Sequence, residues 1–162
     1  MSMRCLTVLL LVAVVQAVAV AVPPEQFNAT VDFDVSIQSL YEGMQANPEA
    51  VLNSERSVIL DGMVASVTVL DPSEENFQAF IELVAGEWQG LSSVELYRTF
   101  VRVSGPEYYN RIATRQNREP GGKLIERNGR ILVAGNVLGY LPDQTSSALI
   151  PAVEGLHIRS LP

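Results

Sequence analysis

The side chains that could do chemistry are sorted by position along the chain. Residues 22–97 hold 13 acidic side chains and one base, Arg56. Residues 98–130 hold eight bases, Arg98, Arg102, Arg111, Arg115, Arg118, Lys123, Arg127 and Arg130, against Glu107, Glu119 and Glu126. Seven of the eight are arginine, whose planar fork grips carboxylate, sulfate or phosphate. Arg111, Arg115, Arg118, Lys123, Arg127 and Arg130 therefore read as a patch for an acidic glycan or an acidic protein surface. The competing reading is that these bases pair with the acidic half of the same fold, each pair contributing about 0–1 kcal/mol.

Other chemistry is thinly represented. Cys5 is the only cysteine and His157 the only histidine, so Cys/His and Ser/His catalysis and a zinc cage are not expected. Glu74 is better placed to cap a helix than to move a proton, and Glu75 reads as solvated. Tyr108, Tyr109 and Trp88 could stack on a sugar, but aromatic residues at helical spacing usually pack inside. These residues imply no enzyme, no metal and no cofactor. The net charge of −7 argues against nucleic acid as a global partner, because neutralising phosphates needs a positive field over the surface, and leaves only a local patch open; no nucleic acid is the expectation.

The first 21 residues read as a secretory signal peptide. Arg4 supplies a short positive start, residues 6–15 are apolar apart from Thr7, and Ala17-Val18-Ala19 and Ala19-Val20-Ala21 offer small residues for cleavage. Gln16 interrupts the apolar run, whereas about 20 continuous residues are needed to cross a bilayer. A secreted mature chain is expected, with no stable membrane anchor and no disulfide, because cleavage also removes Cys5. Asn28-Ala29-Thr30 is an acceptor triplet for N-glycosylation at Asn28.

The elements that must position these groups alternate along the chain. Phe33, Ile37, Leu40, Tyr41 and Met44 fall at helical spacing and stop at Asn47-Pro48, with Pro48 opening a second turn. Residues 57–60 and 64–70 read as paired strands about a turn at Asp61-Gly62-Met63. Asp71-Pro72-Ser73-Glu74 has the pattern of a helix start. The helix that follows would bury Phe77, Phe80, Ile81, Val84 and Trp88 and end at Gly90. Residues 94–103 alternate as a strand, Gly105-Pro106-Glu107 opens a helical turn, and residues 116–122 read as a loop. Asn128-Gly129 reads as a hairpin tip between residues 124–127 and an arm reaching Leu141, placing Arg127 and Arg130 opposite each other.

Two stretches resemble fasciclin-like (fasciclin I-type) domains. Val67-Thr68-Val69-Leu70-Asp71-Pro72-Ser73-Glu74-Glu75-Asn76-Phe77 is similar to that family's first box, a strand running into a helix. Asn128-Gly129-Arg130-Ile131-Leu132-Val133-Ala134-Gly135-Asn136-Val137-Leu138-Gly139-Tyr140-Leu141-Pro142 is similar to its closing box, with one extra residue. Leu96-Tyr97-Arg98 sits where the family often has a Tyr-His pair, with Arg98 in place of the histidine. The resemblance implies an α+β fold, a compact β-wedge or sandwich with several packed helices, as a single domain over residues 22–142 followed by a tail, 143–162. It also implies a non-enzymatic cell-adhesion or extracellular-matrix module that contacts an extracellular protein or acidic glycan, with Tyr97 and Arg98 at the contact; the competing reading of Tyr97 is a strand tyrosine packed inward with its hydroxyl bonded. The alternative is a secreted α+β domain that binds polyanions or a small ligand through the basic segment 98–130.

Overall fold

A computed structural model describes residues 29–89, 93–112 and 124–162, with the side chains of residues 88 and 89 left aside. Six strands and three short helices are present among them: β1 (Val31–Asp32), α1 (Ile37–Ala46), α2 (Pro48–Leu52), β2 (Ser57–Asp71), β3 (Gln78–Gln89), β4 (Ser93–Ser104), α3 (Pro106–Tyr109), β5 (Arg130–Pro142) and β6 (Leu149–Ser160). The helices near the start follow their caps. Ser36 accepts from the Ser39 amide and the Ser39 hydroxyl accepts from the Ser36 amide, a reciprocal box that opens α1. Asn47 then caps α2, accepting from the Ala50 amide ahead of Pro48.

Two-residue alternation builds the sheet. In β3, Ala79, Ile81 and Leu83 are buried while Phe80, Glu82 and Val84 are half-buried on the opposite face; in β4, Tyr97, Thr99, Val101 and Val103 are buried while Arg98, Phe100 and Arg102 face outward. Antiparallel pairs join β2 to β3, β3 to β4 and β6 to β5. β4 and β6 run parallel where Phe100–Arg102 meets Ala152–Glu154. The first half of β2 returns to β5, with Val58 opposite Gly135 and Met63 opposite Arg130, so β2-β3-β4-β6-β5 closes on itself. Closure covers the sheet edges where strands pair, although β4 meets β6 over Phe100–Arg102 alone. β1 adds a short parallel edge at Ser57 and Val58.

The barrel interior holds Leu60, Val64, Phe77, Ile81, Leu83, Val101, Val103, Ile131, Val133, Val153 and Ile158, all 0 or 1% exposed. α1 plugs the end near Tyr97 and Glu87, burying Ile37, Leu40 and Met44 while Gln38 bonds to Glu87 and Tyr97. α3 lies at the opposite end of β3. There Gly105, at a φ of 119° that favours glycine, donates to the Phe77 carbonyl, and Tyr109 meets the Phe77 ring edge-on at 5.9 Å.

Several expectations are corrected here. The helix expected after Asp71-Pro72 is strand β3. Asp71 does not cap a helix; its carboxylate accepts from the Ser73 amide (2.9 Å) and hydroxyl (2.6 Å), closing a local turn. The alternation of Phe77, Ala79, Ile81 and Leu83 outweighs the cap-like sequence, and Phe80 leaves the core for the outer face. Residues 57–60 and 64–70 are not two paired strands. They are one continuous strand, which pairs with β5 through Met63 and with β3 from Met63 onward, Gly62 lying just before the change. A Cβ at Gly62 would sit 2.5 Å from the Ile37 side chain, so this glycine serves close approach to α1 and not a hairpin turn.

Asn128-Gly129 is not a hairpin tip either. The Gly129 amide closes a turn on the Glu126 carbonyl, Asn128 carries the positive φ of 65°, and residues 128 and 129 bond to Val64 of β2. Ile125 instead bridges Ile112, so Arg127 and Arg130 are not cross-strand partners. Residues 149–160, within the stretch set apart as a tail, supply β6 between β4 and β5. The α+β wedge with several packed helices is therefore replaced by a mostly β barrel. The fasciclin-like resemblance fails with it: its first box requires a helix where β3 runs, and Val67–Val69 pairs with Ile81–Ala79 and not with the closing arm.

Candidate binding face

β3 and β4 present their outward side chains in a fixed checkerboard. Phe80 lies opposite Arg102, Glu82 opposite Phe100, and Val84 opposite Arg98. Phe80 and Phe100 meet on the diagonal with ring centroids 6.2 Å apart and planes at 71°, an edge-to-face pair. Both rings are half-buried, so each keeps part of its surface open to a ligand.

The two arginines of this face are held by carboxylates on either side. Arg98 donates from Nε to Glu82 at 2.8 Å and from Nη1 to Asp143 at 3.4 Å. Glu82 also accepts from the Ser66 hydroxyl on β2. Arg102 donates from Nε to Glu154 on β6 at 2.6 Å, and Glu154 accepts from Ser104. Two guanidinium groups, three carboxylates and two rings thus share one side of β3, β4 and β6 and the loop before β6. The guanidinium groups are pre-oriented, because each is fixed before any ligand arrives.

A groove of about 510 Å³ runs along the β4 end of this face, lined by Arg98, Phe100, Leu141, Asp143, Thr145 and Ile150 among others. Its outer wall is the β5–β6 loop, residues 143–148. Asp143 organises that loop, accepting from the Thr145 amide (3.2 Å) and hydroxyl (3.1 Å) and the Ser146 hydroxyl (2.8 Å). These bonds, led by the Thr145 amide, hold the Asp143 carboxyl below the usual carboxylate range.

The site residues expected from sequence scatter over the barrel. Tyr97 is 4% exposed, not a surface contact. Its hydroxyl lies 3.3 Å from Gln38 and from Glu87. Burial first, and then Glu95, Glu87 and Glu42, push its pKa up to about 12. Arg111 is spent on the Ile158 carbonyl (2.8 Å) and on the Tyr108 ring. Arg130 forms a bidentate pair with Asp61, and Arg127 is exposed in the turn before β5. Arg115, Arg118, Lys123 and the acceptor Asn28 lie outside the described residues. The structure therefore brings Arg98 into the groove and leaves Arg111, Arg127 and Arg130 at separate places.

Sequence reasoning missed Phe80, Phe100, Arg102 and Asp143 as one face. The signal was present in Arg98, Phe100 and Arg102 at two-residue spacing on a strand, with Phe80 in a second alternating run. Among the described residues there is no group of three or more His, Cys, Asp or Glu side chains that could hold a metal, and no helix long and apolar enough to cross a membrane.

Five strands in the closed order β2-β3-β4-β6-β5, with one parallel pair and antiparallel pairs elsewhere, define an OB-type Greek-key barrel. No family model and no curated protein matches the chain. Among solved structures, a small single-stranded DNA-binding protein from Streptomyces coelicolor is similar over 64% of this chain and 90% of its own, at 10% identity and a TM-score of 0.39.

Two functional expectations are corrected. Adhesion or matrix binding to an extracellular protein or acidic glycan followed from the fasciclin-like resemblance, and the barrel connectivity removes that basis. The exclusion of nucleic acid followed from summed charge. Summed charge acts through a field screened over about 8–10 Å, whereas stacking on Phe80 and Phe100 and hydrogen bonding to Arg98 and Arg102 are contact interactions that net charge does not forbid.

Proposed function

We propose that this chain is a binding barrel without a chemical step, and that its ligand is a short single-stranded segment of nucleic acid laid across the outer face of β3 and β4. One observation carries the proposal: Phe80 and Phe100 form an aromatic pair flanked by Arg98 and Arg102 on the two strands that serve as the ligand face in barrels of this type. Rings of this kind take up bases at about 1–3 kcal/mol each, with arginine contributing to stacking and to phosphate contacts. Export through the apolar leader belongs to the same proposal and is tested by N-terminal sequencing of the native protein.

The carboxylates set the character of the binding. Each arginine already has an acidic partner, so few counterions are released on binding and stacking must supply most of the affinity. At about 0.7 per phosphate for a single strand, the slope of log affinity against log salt should be no steeper than about −1.5. A labelled oligothymidylate followed by anisotropy should bind the intact chain with that shallow slope. Phe80→Ala combined with Phe100→Ala should weaken binding tenfold or more. Undiminished binding by the double variant would overturn the placement.

The same carboxylates favour one second reading. Glu82, Asp143 and Glu154 beside two guanidinium groups offer donors and acceptors suited to hydroxyls, and the rings suit the apolar face of a sugar. On that reading an uncharged oligosaccharide binds the face with no salt dependence, and calorimetry with a neutral glucose oligomer separates the two.

A further inference from the structure

We propose that Asp143 is a specificity-determining residue of this face: its carboxylate occupies the place on Arg98 that a ligand phosphate takes, and it yields that place when a strand binds. The inference rests on the single-strand reading of the face and adds to it the group that decides how strongly phosphate is drawn in.

The geometry separates Asp143 from the other acidic partners. Glu82 meets the Arg98 guanidinium at Nε and Nη2, both at 2.8 Å, along the strand pair. Asp143 reaches only Nη1, at 3.4 Å, from a loop across the groove. The Asp143 carboxylate keeps three donors of its own, the Thr145 amide and the hydroxyls of Thr145 and Ser146. Losing Arg98 would therefore leave it hydrogen-bonded, while Arg98 would stay oriented by Glu82. A phosphate that replaces Asp143 at Nη1 gains a charge-assisted bond to an arginine already in position, and little is left unsatisfied.

Arg102 has no such arrangement. Its partner Glu154 sits within β6 at 2.6 Å, on a strand fixed by pairing to both β4 and β5. Of the two guanidinium groups, Arg98 is the one whose charge can be uncovered by a loop side chain, and it is the one lining the groove.

The test compares Asp143→Asn with the intact chain, using labelled oligothymidylate across a salt series. Glu49→Gln, at an exposed position on α2 that does not line the groove, makes the same change in net charge. Asp143→Asn should tighten binding about threefold to tenfold at low salt and steepen the salt slope by about 0.7, the value for one phosphate, because the phosphate then meets Arg98 without displacing a carboxylate that takes up a counterion in exchange. Glu49→Gln should change neither. Tighter binding in both variants would assign the effect to overall charge and overturn the role of Asp143. Binding by the intact chain with no gain in Asp143→Asn would overturn it as well, while leaving the single-strand reading in place. No binding by either chain would overturn both. A melting temperature for each variant, read beside the binding data, shows that the comparison is between folded proteins.

Discussion

At the scale of single residues, a side chain's face on its strand decides what it does. Phe77 and Phe80 are both aromatic and three positions apart, yet Phe77 is fully buried against Tyr109 and Phe80 stands on the outer face. Phe77→Ala should cost about 3–5 kcal/mol and lower the melting temperature by roughly 10 °C or more. Phe80→Ala should lower it much less and show its effect in ligand binding. Equal losses in a thermal melt would mean that both rings are core.

Tyr97 supplies a pH test at the same scale. Its folded-state pKa of about 12 lies above the ordinary value near 10, so between those values the folded state holds a proton that the unfolded state has released. Stability contributed by the neutral phenol is complete below about pH 10 and falls as pH rises toward 12. Tyr97→Phe should flatten that alkaline decline in denaturant titrations, while losing the bonds to Gln38 and Glu87 at neutral pH. A decline identical to that of the intact chain would remove Tyr97 as its source.

At the scale of elements, α1 and β4 were legible because only one period fitted each. Ile37, Leu40, Tyr41 and Met44 at helical spacing admit no strand reading, although Phe33, read into the same stripe, lies before the helix and is exposed, and the cap is Ser36. The run from Val94 to Val103 admits no helix. β3 was ambiguous because residues 77–88 satisfy both periods: Phe77, Phe80, Ile81 and Val84 mark a helix stripe, while Phe77, Ala79, Ile81 and Leu83 mark a strand face. The cap-like Asp71-Pro72-Ser73-Glu74 tipped the local reading toward helix. Pairing with β2 and β4 on both sides decides it toward strand, and that information lies far away in sequence. Gly62 and Asn128-Gly129 were legible as places where φ or space is special. Their use at the close approach of α1 to β2 and at a turn bonded to Val64 was not, since it depends on which element passes nearby.

At the scale of the whole molecule, the division into an acidic and a basic stretch does not become two charged faces. The fold interleaves the stretches, so Glu82 on β3 meets Arg98 on β4 and Asp61 on β2 meets Arg130 on β5, while Glu154 on β6, beyond both stretches, meets Arg102. A basic segment in sequence is thereby largely neutralised among the described residues. What remains is a local face of two rings, two guanidinium groups and three carboxylates on a closed barrel. Its chemistry is set by contacts a few ångströms long and not by the net charge of −7.

The most direct measurement is an amide chemical-shift titration of the uniformly labelled chain with an unlabelled oligothymidylate. Placement of the ligand on the β3–β4 face predicts that the largest changes cluster at Phe80, Glu82, Arg98, Phe100 and Arg102 and in the loop 143–148. Changes confined to Arg111, Arg127 and Arg130, or a spectrum unmoved at saturating oligonucleotide, would contradict it.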